Sequence, residues 1–577
     1  MEKWVISAKR ADFKAIAAKF GIDQVTARLI RNRDVIGEDA IREYLHGDIR
    51  DLHNPHLLKD ADKLVEILTE KIREKKKIRI IGDYDIDGVN ASYILLKGLK
   101  RCGAEVDVEI PDRMKDGYGI NEHLINYAYE EGIDTILTCD NGIAAVEQTK
   151  LAKDLGMTIL ITDHHEPQEH LPKADALVNP RQPDCCYPYK NLCGAAVAFK
   201  IIQCLYEKMQ LPQEEALRFL EFAAFATIGD VMDLNGENRI LVKEGLRMLN
   251  RTTNPGMAAL IRECSLAGSE IKAYHVGFIL GPCINAGGRL DTAKRSLALL
   301  MAENESEAAR MAQELKSLND ERKDMTQKGT KQAIDLIEKQ GLSRDRVLVV
   351  YLPDCHESLA GIIAGRVRER YNKPVFILTD SADGVKGSGR SIEAYSMFEE
   401  MSKCRELYTK YGGHPMAAGL SLPPENVEKF RRRLNEMTSL CEEDFIPKIV
   451  IDVPMPIGYI TEDLIEELNL LEPFGKGNSK PLFAEKNLDI QNIRILGKNR
   501  NTLKMQVRSQ SGTVLDALYF GDVEQFIDYL NQKFGDAETE KCFQNRPNDV
   551  CLSFIYYPSV NEFRDRKSIQ IVISHYC

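Results

Sequence analysis

Acidic and imidazole side chains follow three short apolar runs of the sequence, at the point where each run ends. The members are Asp83, Asp85 and Asp87 in GDYDIDG, Asp140 in TCDNG, and Asp163, His164 and His165 in TDHHE. If the three runs are neighbouring parallel strands, their carboxyl ends open onto one crevice. The sequence therefore predicts that these side chains converge at one edge of a sheet.

Carboxylates that share a crevice repel one another, and the pKa of each rises unless cations neutralise them. One or two divalent metal ions would remove that repulsion. Carboxylate oxygens with some imidazole suit Mn²⁺ or Mg²⁺ better than a thiolate-rich zinc site would. The 14 cysteines show no CxxC pair and no Cys/His zinc spacing, so structural zinc is not expected.

Each motif taken alone has a simpler interpretation. DxDxDG is also compatible with a calcium loop or a solvated turn, although the chain lacks the glutamate that an EF-hand needs at the end of its loop. An isolated Asp-His-His is more often incidental than functional. Three such clusters at corresponding strand ends favour a shared metal site.

The elements around these motifs alternate between helices and strands. LVEILTEKIREKKK (64–77) and ASYILLKGLKRCG (91–103) have helical patterns, and the apolar strand IRII (78–81) lies between them. A helix-like stretch also precedes each of the runs at 135–140 and 158–163. This rhythm predicts an α/β fold with a mostly parallel sheet and helices on both faces.

The texture of the sequence divides the chain into five parts. Residues 1–55 have the pattern of short helices, and residues 56–302 form the first α/β domain. A continuous helical pattern at 303–340 is interpreted as a connecting helix between lobes, although a surface helix of one domain would look the same. Residues 341–446 form a second α/β lobe. Residues 447–577 alternate apolar and polar positions between turns, which predicts a small β-barrel.

The three clusters resemble, in order and spacing, the first motifs of the DHH phosphoesterase superfamily. TIGDVMD (227–233) resembles the fourth motif, with Asp230 in the acidic ligand position. The resemblance implies two divalent ions, Mn²⁺ or Mg²⁺, and catalytic roles for Asp83 and His165 beside them. Some members carry a histidine where this chain has Ile81, which predicts fewer protein ligands around one of the metal ions. The implied metal ligands are Asp85, Asp87, Asp140, His164 and Asp230.

Longer stretches resemble the RecJ exonucleases within this superfamily. They are IPDRMKDGYGIN (110–121), NPRQPDCCYPYKNLCGAAVAFK (179–200), GENR (236–239), GPCINAGGRL (281–290), LEPFGKGNSKPLF (471–483) and NEFRDRKSIQIVI (561–573). The resemblance covers nearly the whole chain. It implies a parallel-sheet DHH domain, a DHH-associated lobe joined to it by a long helix, and a C-terminal OB-like barrel.

Glycine-rich loops in the second lobe could approach a phosphate closely. KGSGRS (386–391) and YGGHPMAAG (411–419) combine glycines with hydroxyl, guanidinium and imidazole donors, although GGH alone is more simply a tight turn. In this lobe the family often has a tryptophan where this chain has Cys355. By resemblance, the substrate-binding residues are His356, Arg366, Ser388, Arg390, Ser391, Gly413 and His414. In the barrel, the residues predicted to supply positive charge are Lys498, Arg500, Lys504 and Arg508.

The resemblance implies a single-stranded-DNA-specific 5′→3′ exonuclease that releases nucleotides by two-metal hydrolysis in DNA recombination and repair. Alternatives are a DHH phosphodiesterase for short oligonucleotides or cyclic dinucleotides, and a non-catalytic DNA-replication scaffold. The net charge of −11 alone argues against a nucleic-acid binder, but acidic metal ligands contribute to it.

The expected partners are single-stranded DNA and a helicase or single-strand-binding protein. No apolar signal segment and no membrane-length apolar run is visible in the sequence, so we expect a cytoplasmic protein with no membrane association.

Overall fold

The computed structural model describes residues 2–577, apart from 114, 115, 118, 383, 498, 564 and 565, and describes only the backbone of residue 563. The barrel residue Lys498 therefore lies outside the described residues. The chain forms two compact units. The larger unit contains Leu52–Asp233 and Ile240–Pro447, and the smaller unit contains Glu2–Asp51, Leu234–Arg239 and Lys448–Cys577.

The chain starts with elements of the smaller unit. They are strand β1 (Lys3–Ile6) and helices α1 (Phe13–Phe20), α2 (Gln24–Asn32) and α3 (Glu38–His46). The short helices predicted for residues 1–55 are present, but β1 was not predicted; it pairs in parallel with a strand more than 400 residues further along the chain. Four residues are too short a run for sequence periodicity to reveal.

The larger unit begins with a five-stranded, fully parallel sheet in the order β3-β2-β4-β5-β6. Its strands are β2 (Lys77–Ile81), β3 (Glu105–Glu109), β4 (Thr135–Cys139), β5 (Thr158–Thr162) and β6 (Ala176–Val178). Its helices are α4 (Ala61–Arg73), α5 (Ile86–Arg101), α6 (Glu122–Glu130) and α7 (Val146–Asp154). The three predicted runs are the adjacent central strands β2, β4 and β5, which confirms the parallel sheet. The edge strands β3 and β6 were not predicted.

A helical layer follows the first sheet. It contains α8 (Gly194–Lys208), α9 (Gln213–Leu217), α10 (Leu220–Gly229), α11 (Gly236–Leu249), α12 (Pro255–Glu263), α13 (Ala273–His275), α14 (Gly281–Leu290) and α15 (Lys294–Met301). A π-helical turn, Val276–Leu280, joins α13 to α14. Among the described helices, none has both the length and the apolar character needed to cross a bilayer.

One long helix, α16 (Glu305–Lys339), follows where the sequence predicts it. Leu315 packs against the α14 backbone at Gly287, whereas Ala333 and Ile337 belong to the core of the following lobe. Gly329 does not interrupt the helix. A Cβ atom there would lie 2.5 Å from Cδ1 of Ile363, so the glycine allows α16 to approach the next lobe closely. The helix therefore contacts both lobes of the larger unit.

The second lobe is a mixed five-stranded sheet in the order β10-β11-β9-β8-β7. Only β7 and β8 are parallel. The strands are β7 (Leu348–Tyr351), β8 (Val375–Ser381), β9 (Gly384–Arg390), β10 (Lys410–His414) and β11 (Ala417–Leu422). The helices are α17 (Glu357–Tyr371), α18 (Met397–Ser402) and α19 (Val427–Met437). The lobe places both glycine-rich motifs on adjacent strands.

The C-terminal part of the smaller unit is β-rich, as predicted. Its strands are β12 (Lys448–Ile451), β13 (Val453–Pro454), β14 (Phe483–Leu496), β15 (Thr502–Arg508), β16 (Val514–Tyr519), β17 (Cys551–Phe563) and β18 (Arg566–Tyr576). Pairings run from β14 through β15, β16, β18 and β17 back to β14, which is the closed circuit of a small barrel. The helices α20 (Glu462–Asn469), α21 (Val523–Phe534) and α22 (Asp536–Phe543) were not predicted.

The N-terminal helices complete the core of the smaller unit. Leu29, Ile30, Ile41 and Leu45 are buried with barrel residues such as Phe483. The guanidinium of Arg239 donates to the carbonyls of Tyr44 and Leu471, both at 2.9 Å.

Candidate metal centre

The ends of β2, β4 and β5 bring their acidic and imidazole side chains together, as the sequence predicts. The Nε2 atom of His164 lies 3.0 Å from Oδ1 of Asp140, 3.4 Å from Oδ2 of Asp87 and 3.8 Å from Oδ2 of Asp230. A second group shares the carboxylate of Asp140 with the first. It consists of Asp83, Asp85 and Asp140, whose carboxylate oxygens lie within 4.8 Å of one another. All five implied metal ligands therefore belong to two overlapping groups that share Asp140.

Two of these ligands depend on unusual backbone conformations. Asp140 has φ 60°, and Val231, directly after Asp230, has φ 56°. A β-branched residue rarely adopts this left-handed conformation, and such strain concentrates at functional sites. Gly194 makes room for the first turn, because a Cβ atom there would lie 2.7 Å from Cβ of Asp140. The orientation of the Asp140 and Asp230 carboxylates therefore depends on backbone conformations of high energy.

The Asp87 carboxylate is held by a helix end. Its two oxygens accept hydrogen bonds from the backbone N–H groups of Gly194 (2.6 Å) and Ala195 (2.8 Å), at the start of α8. These two hydrogen bonds from the helix N-terminus fix the position of the carboxylate. Asp85 has a similar role at α5, where its side chain accepts from the N–H of Asp87 (2.9 Å) and thereby starts the helix earlier than predicted.

The buried Asp163 orients the second histidine of the motif. Its Oδ1 lies 2.7 Å from Nδ1 of His165, and its carboxylate also accepts from the backbone N–H groups of Ile143 and His164. Burial opposes charge on both partners, but the hydrogen bond outweighs it. The pKa of His165 rises to about 9, and that of Asp163 falls below its usual value. At neutral pH, His165 is therefore a cationic donor that a buried carboxylate holds in place.

The electrostatics of the cluster favour a bound cation. Burial, followed by repulsion from neighbouring carboxylates, raises the pKa of Asp83, Asp85 and Asp140. Burial lowers the pKa of His164, so its imidazole is neutral and able to act as a ligand. Oδ1 of Asp83 is buried and has no hydrogen-bond partner among the described residues. Oxygen ligands with one imidazole, in a pocket that resists ionisation, fit divalent manganese or magnesium.

Helix α14 supports the metal-binding loop, the segment 83–87 after β2, in a way that the motifs alone did not predict. Oδ1 of Asn285 accepts from the backbone N–H of Ile86 (2.8 Å), and a Cβ atom at Gly288 would lie 2.1 Å from the carbonyl oxygen of Tyr84. Arg289 follows, and its Nη1 donates to the carbonyl of Ser358 (2.9 Å) in the second lobe. Burial and the charges of nearby arginines lower its pKa to about 10. GPCINAGGRL was the only sequence signal for these roles.

The second lobe groups several of its predicted substrate residues. Oγ of Ser388 and Nη2 of Arg390 both lie about 3 Å from the position of a Cβ atom at Gly361. Strand register aligns Arg390 with Ala417, and Ala417 with His414. These three residues therefore lie in one row across adjacent strands. Gly413 has φ 150°, where an added Cβ atom would lie 2.5 Å from the carbonyl of Ala417. A cavity of about 340 Å³ lies between this lobe and the metal-binding loop, and its walls include Tyr84, Arg113, Ser358, Ser388 and Tyr411.

Other predicted positions have different surroundings. His356 caps α17, with Nδ1 2.8 Å from Oγ of Ser358, and Arg366 is exposed on the same helix. Ser391 is buried, and its hydroxyl donates to the carbonyl of Tyr395 (2.5 Å), so this group serves the fold of the lobe.

The predicted basic residues of the barrel carry partly balanced charges. Lys504 and Arg508 form ion pairs with Asp516 (2.8 Å) and Asp489 (3.1 Å), respectively. Their contribution to a positive surface is therefore reduced.

Comparison with known proteins identifies the family. The family models that match are the DHH family, N-terminal domain, over residues 77–227, the DHHA1 domain over 344–439 and the RecJ OB domain over 451–575. The single-stranded-DNA-specific exonuclease RecJ of Bacillus subtilis strain 168 is 37% identical over 581 residues, covering 99% of this chain and 70% of that protein. The chain belongs to the RecJ family.

Other members of the RecJ family agree with this assignment. RecJ of Escherichia coli K12 is 32% identical over 540 residues, which is 90% of each chain. The crystal structure of RecJ from Thermus thermophilus in complex with Mn²⁺ matches with a TM-score of 0.83 at 26% identity, covering 100% of this chain and 79% of that one. The RecJ family, the α/β fold with an OB-like C-terminal domain, and the divalent metal ions are thus confirmed. The match to exonucleases along the chain supports that function over a small-substrate enzyme or a scaffold.

Proposed function

We propose that this chain is a metal-dependent exonuclease that digests single-stranded DNA from the 5′ end and releases nucleotides. One observation carries the proposal. The carboxylates of Asp87, Asp140 and Asp230 surround the imidazole of His164 in a pocket where burial and neighbouring carboxylates raise the pKa of Asp140. The relatives that match over most of this chain are named as single-stranded-DNA-specific exonucleases.

The metal cluster would bind the scissile phosphate. When bound, two Mn²⁺ or Mg²⁺ ions supply Lewis acidity to the phosphoryl oxygens and lower the pKa of water. The residues that would hold these ions are Asp85, Asp87, Asp140, His164 and Asp230.

Two further residues would act beside the ligands. His165 stays protonated near pH 7 because of Asp163, so it would donate a hydrogen bond to a phosphate oxygen rather than accept a proton. Oδ1 of Asp83 has no hydrogen-bond partner among the described residues, so Asp83 would orient a water molecule in the cluster. No covalent nucleophile is needed for this reaction.

The second lobe would hold the DNA backbone. The guanidinium of Arg390 can bind a phosphate through two parallel N–H groups, and Ser388 lies beside it. His356, Arg366, Gly413 and His414 would extend this contact along the strand, whereas Ser391 would act through the fold of the loop.

The five-part division of the sequence remains our proposal for the domains. In this proposal, 447–577 would bind single strands further from the cut. A helicase or a single-strand-binding protein would deliver the substrate in the cytoplasm, where recombination and repair take place.

The decisive experiment compares end-labelled oligonucleotides. With Mn²⁺, the unaltered chain should shorten single-stranded DNA labelled at its 3′ end stepwise, release the 5′ label first as a mononucleotide, and leave duplex DNA largely intact. Asp140→Ala and His164→Ala should each lower the rate by about 10³-fold or more, since metal catalysis supplies several kcal/mol. Asp154→Ala, an exposed carboxylate on α7, is the matched control. Full activity in either cluster variant would refute the assignment.

A further inference from the structure

Two aromatic side chains project into solvent from the segment before α14. Tyr274 is 63% exposed and Phe278 is 69% exposed. Their rings are stacked, with centroids 5.0 Å apart and an interplanar angle of 27°. Single exposed hydrophobic residues are common on protein surfaces, but a stacked pair of largely exposed rings presents a flat apolar face to the solvent.

The backbone fixes this pair in place. Phe278 lies within the π-helical turn, and its neighbours Val276 and Leu280 are fully buried. At the start of the segment, Nδ1 of His275 accepts from the backbone N–H of Lys272 (3.0 Å). A π-turn is rare and occurs frequently at functional sites. The rings are therefore carried by an anchored segment rather than by a loose loop.

The same segment leads directly to the metal centre. Gly277 faces Ile228, since a Cβ atom there would lie 3.8 Å from Cγ2 of that residue, two positions before the ligand Asp230. A Cβ atom at Gly281 would lie 3.0 Å from Cδ1 of Ile86, which stands between Asp85 and Asp87. Val231, which is 60% exposed, adds an apolar group beside Asp230. The segment that carries the aromatic pair thus packs against the two ligand-bearing elements.

We propose that Tyr274 and Phe278 form a stacking platform for a nucleobase of the single strand whose phosphate is held at the metal cluster. The inference rests on the proposed function, because it names a contact for the same substrate. Nucleobases are the ligand class that such a face fits, since each has a π-face and stacking on aromatic side chains tolerates any sequence. An apolar segment of a protein partner is the other candidate occupant, and the test separates the two.

The test uses the full chain with Mn²⁺ and oligonucleotides that carry one abasic nucleotide, placed in turn at each of the first few positions from the 5′ end. The unaltered chain should slow at one position, where the missing base removes the stacking contact. In Y274A/F278A this slow position should disappear, and KM for intact DNA should rise about tenfold with little change in kcat. Y274F/F278Y, which keeps both rings, should restore both features.

Control experiments keep the possible failures distinct. Tyr129→Ala removes another exposed aromatic ring of the larger unit and should change neither KM nor the abasic profile. If the unaltered chain does not digest intact single-stranded DNA, the proposed function itself fails. If it digests DNA but Y274A/F278A keeps the original KM and abasic profile, only the platform is refuted. A raised KM with an unchanged abasic profile also refutes base stacking.

Discussion

The two sheets of the larger unit handle charge in opposite ways. In the first sheet, β4 is completely buried and is followed by Asp140, whose pKa burial and neighbouring carboxylates raise. In the second sheet, β10 is mostly exposed, β9 is half-buried, and their glycines stand beside cationic side chains such as Arg390. A metal cage benefits from low dielectric and fixed geometry, whereas a phosphate cradle must remain open to a passing strand. The comparison indicates that the first lobe carries out hydrolysis and that the second lobe binds the DNA backbone.

Metal removal gives the largest expected difference between the lobes. EDTA should abolish DNA digestion, and Mn²⁺ should restore it, because the carboxylate cluster is incomplete without cations. Metal that binds only the folded state should also raise the temperature of unfolding. Differential scanning fluorimetry of the unaltered chain and Asp140→Ala, each with and without Mn²⁺, measures the rise in unfolding temperature that the metal causes. An equal metal-induced rise in both proteins would show that the stabilising site lies elsewhere.

Loss of the Arg390 guanidinium in the second lobe should weaken DNA binding and leave the rate of hydrolysis nearly unchanged. Arg390→Ala should raise KM for single-stranded DNA by about 10- to 100-fold, with a smaller change in kcat, because a bidentate charge-assisted contact is lost. Arg390→Lys should recover only part of the affinity. Steady-state kinetics with Arg370→Ala, on the exposed end of α17, provides the control. A kcat effect larger than the KM effect would contradict the division of labour.

A buried carboxylate in the first turn of α10, the helix that ends directly before Asp230, should make stability depend on pH. Burial raises the pKa of Glu221, on α10, from 4.5 to about 7. Between these values the unfolded chain loses its proton while the folded chain keeps it, so stability falls as pH rises through this window. Above pH 7 the full cost is present, on the order of 3 kcal/mol.

The matching substitution is Glu221→Gln. It should raise the unfolding temperature at pH 8 and leave it nearly unchanged at pH 4.5, whereas Glu214→Gln, at an exposed position, should leave it nearly unchanged at both pH values. Thermal unfolding at the two pH values decides the matter. Parallel pH profiles for the unaltered chain and Glu221→Gln would disprove the assignment.

A pair of adjacent glycines gives the smallest expected effect. Gly413→Ala forces a side chain into φ 150° and against the carbonyl of Ala417, so we expect a loss of about 1–2 kcal/mol and a moderately raised KM. Gly412→Ala meets nothing within 4 Å and should be close to neutral. The two variants are compared by thermal unfolding and by KM. Equal behaviour of the two variants would mean that the backbone conformation at Gly413 does not shape the substrate-binding surface.

Much of the metal centre could be predicted because its carboxylates follow strand runs that are visible locally. The supporting contacts could not, since each joins segments far apart in the chain. Asn285 reaches the N–H of Ile86 across almost 200 residues, and Gly194 matters only because Asp140 turns into it. The edge strand β3, with alternating acids, carries little apolar signal. The pairing of β1 likewise has no local signature.

The burial of the N-terminal helices by barrel residues has a consequence for biosynthesis. Leu29, Ile30 and Leu45 are made early, but the barrel that buries them lies some 400 residues later in the chain. At ~5–20 residues per second, a ribosome needs roughly 20–80 seconds to supply that surface. Until then, the N-terminal helices carry apolar faces with no native cover, while the two lobes of the larger unit emerge and fold. The nascent chain must therefore be shielded over this interval, and chaperone dependence should be strongest before the barrel leaves the exit tunnel.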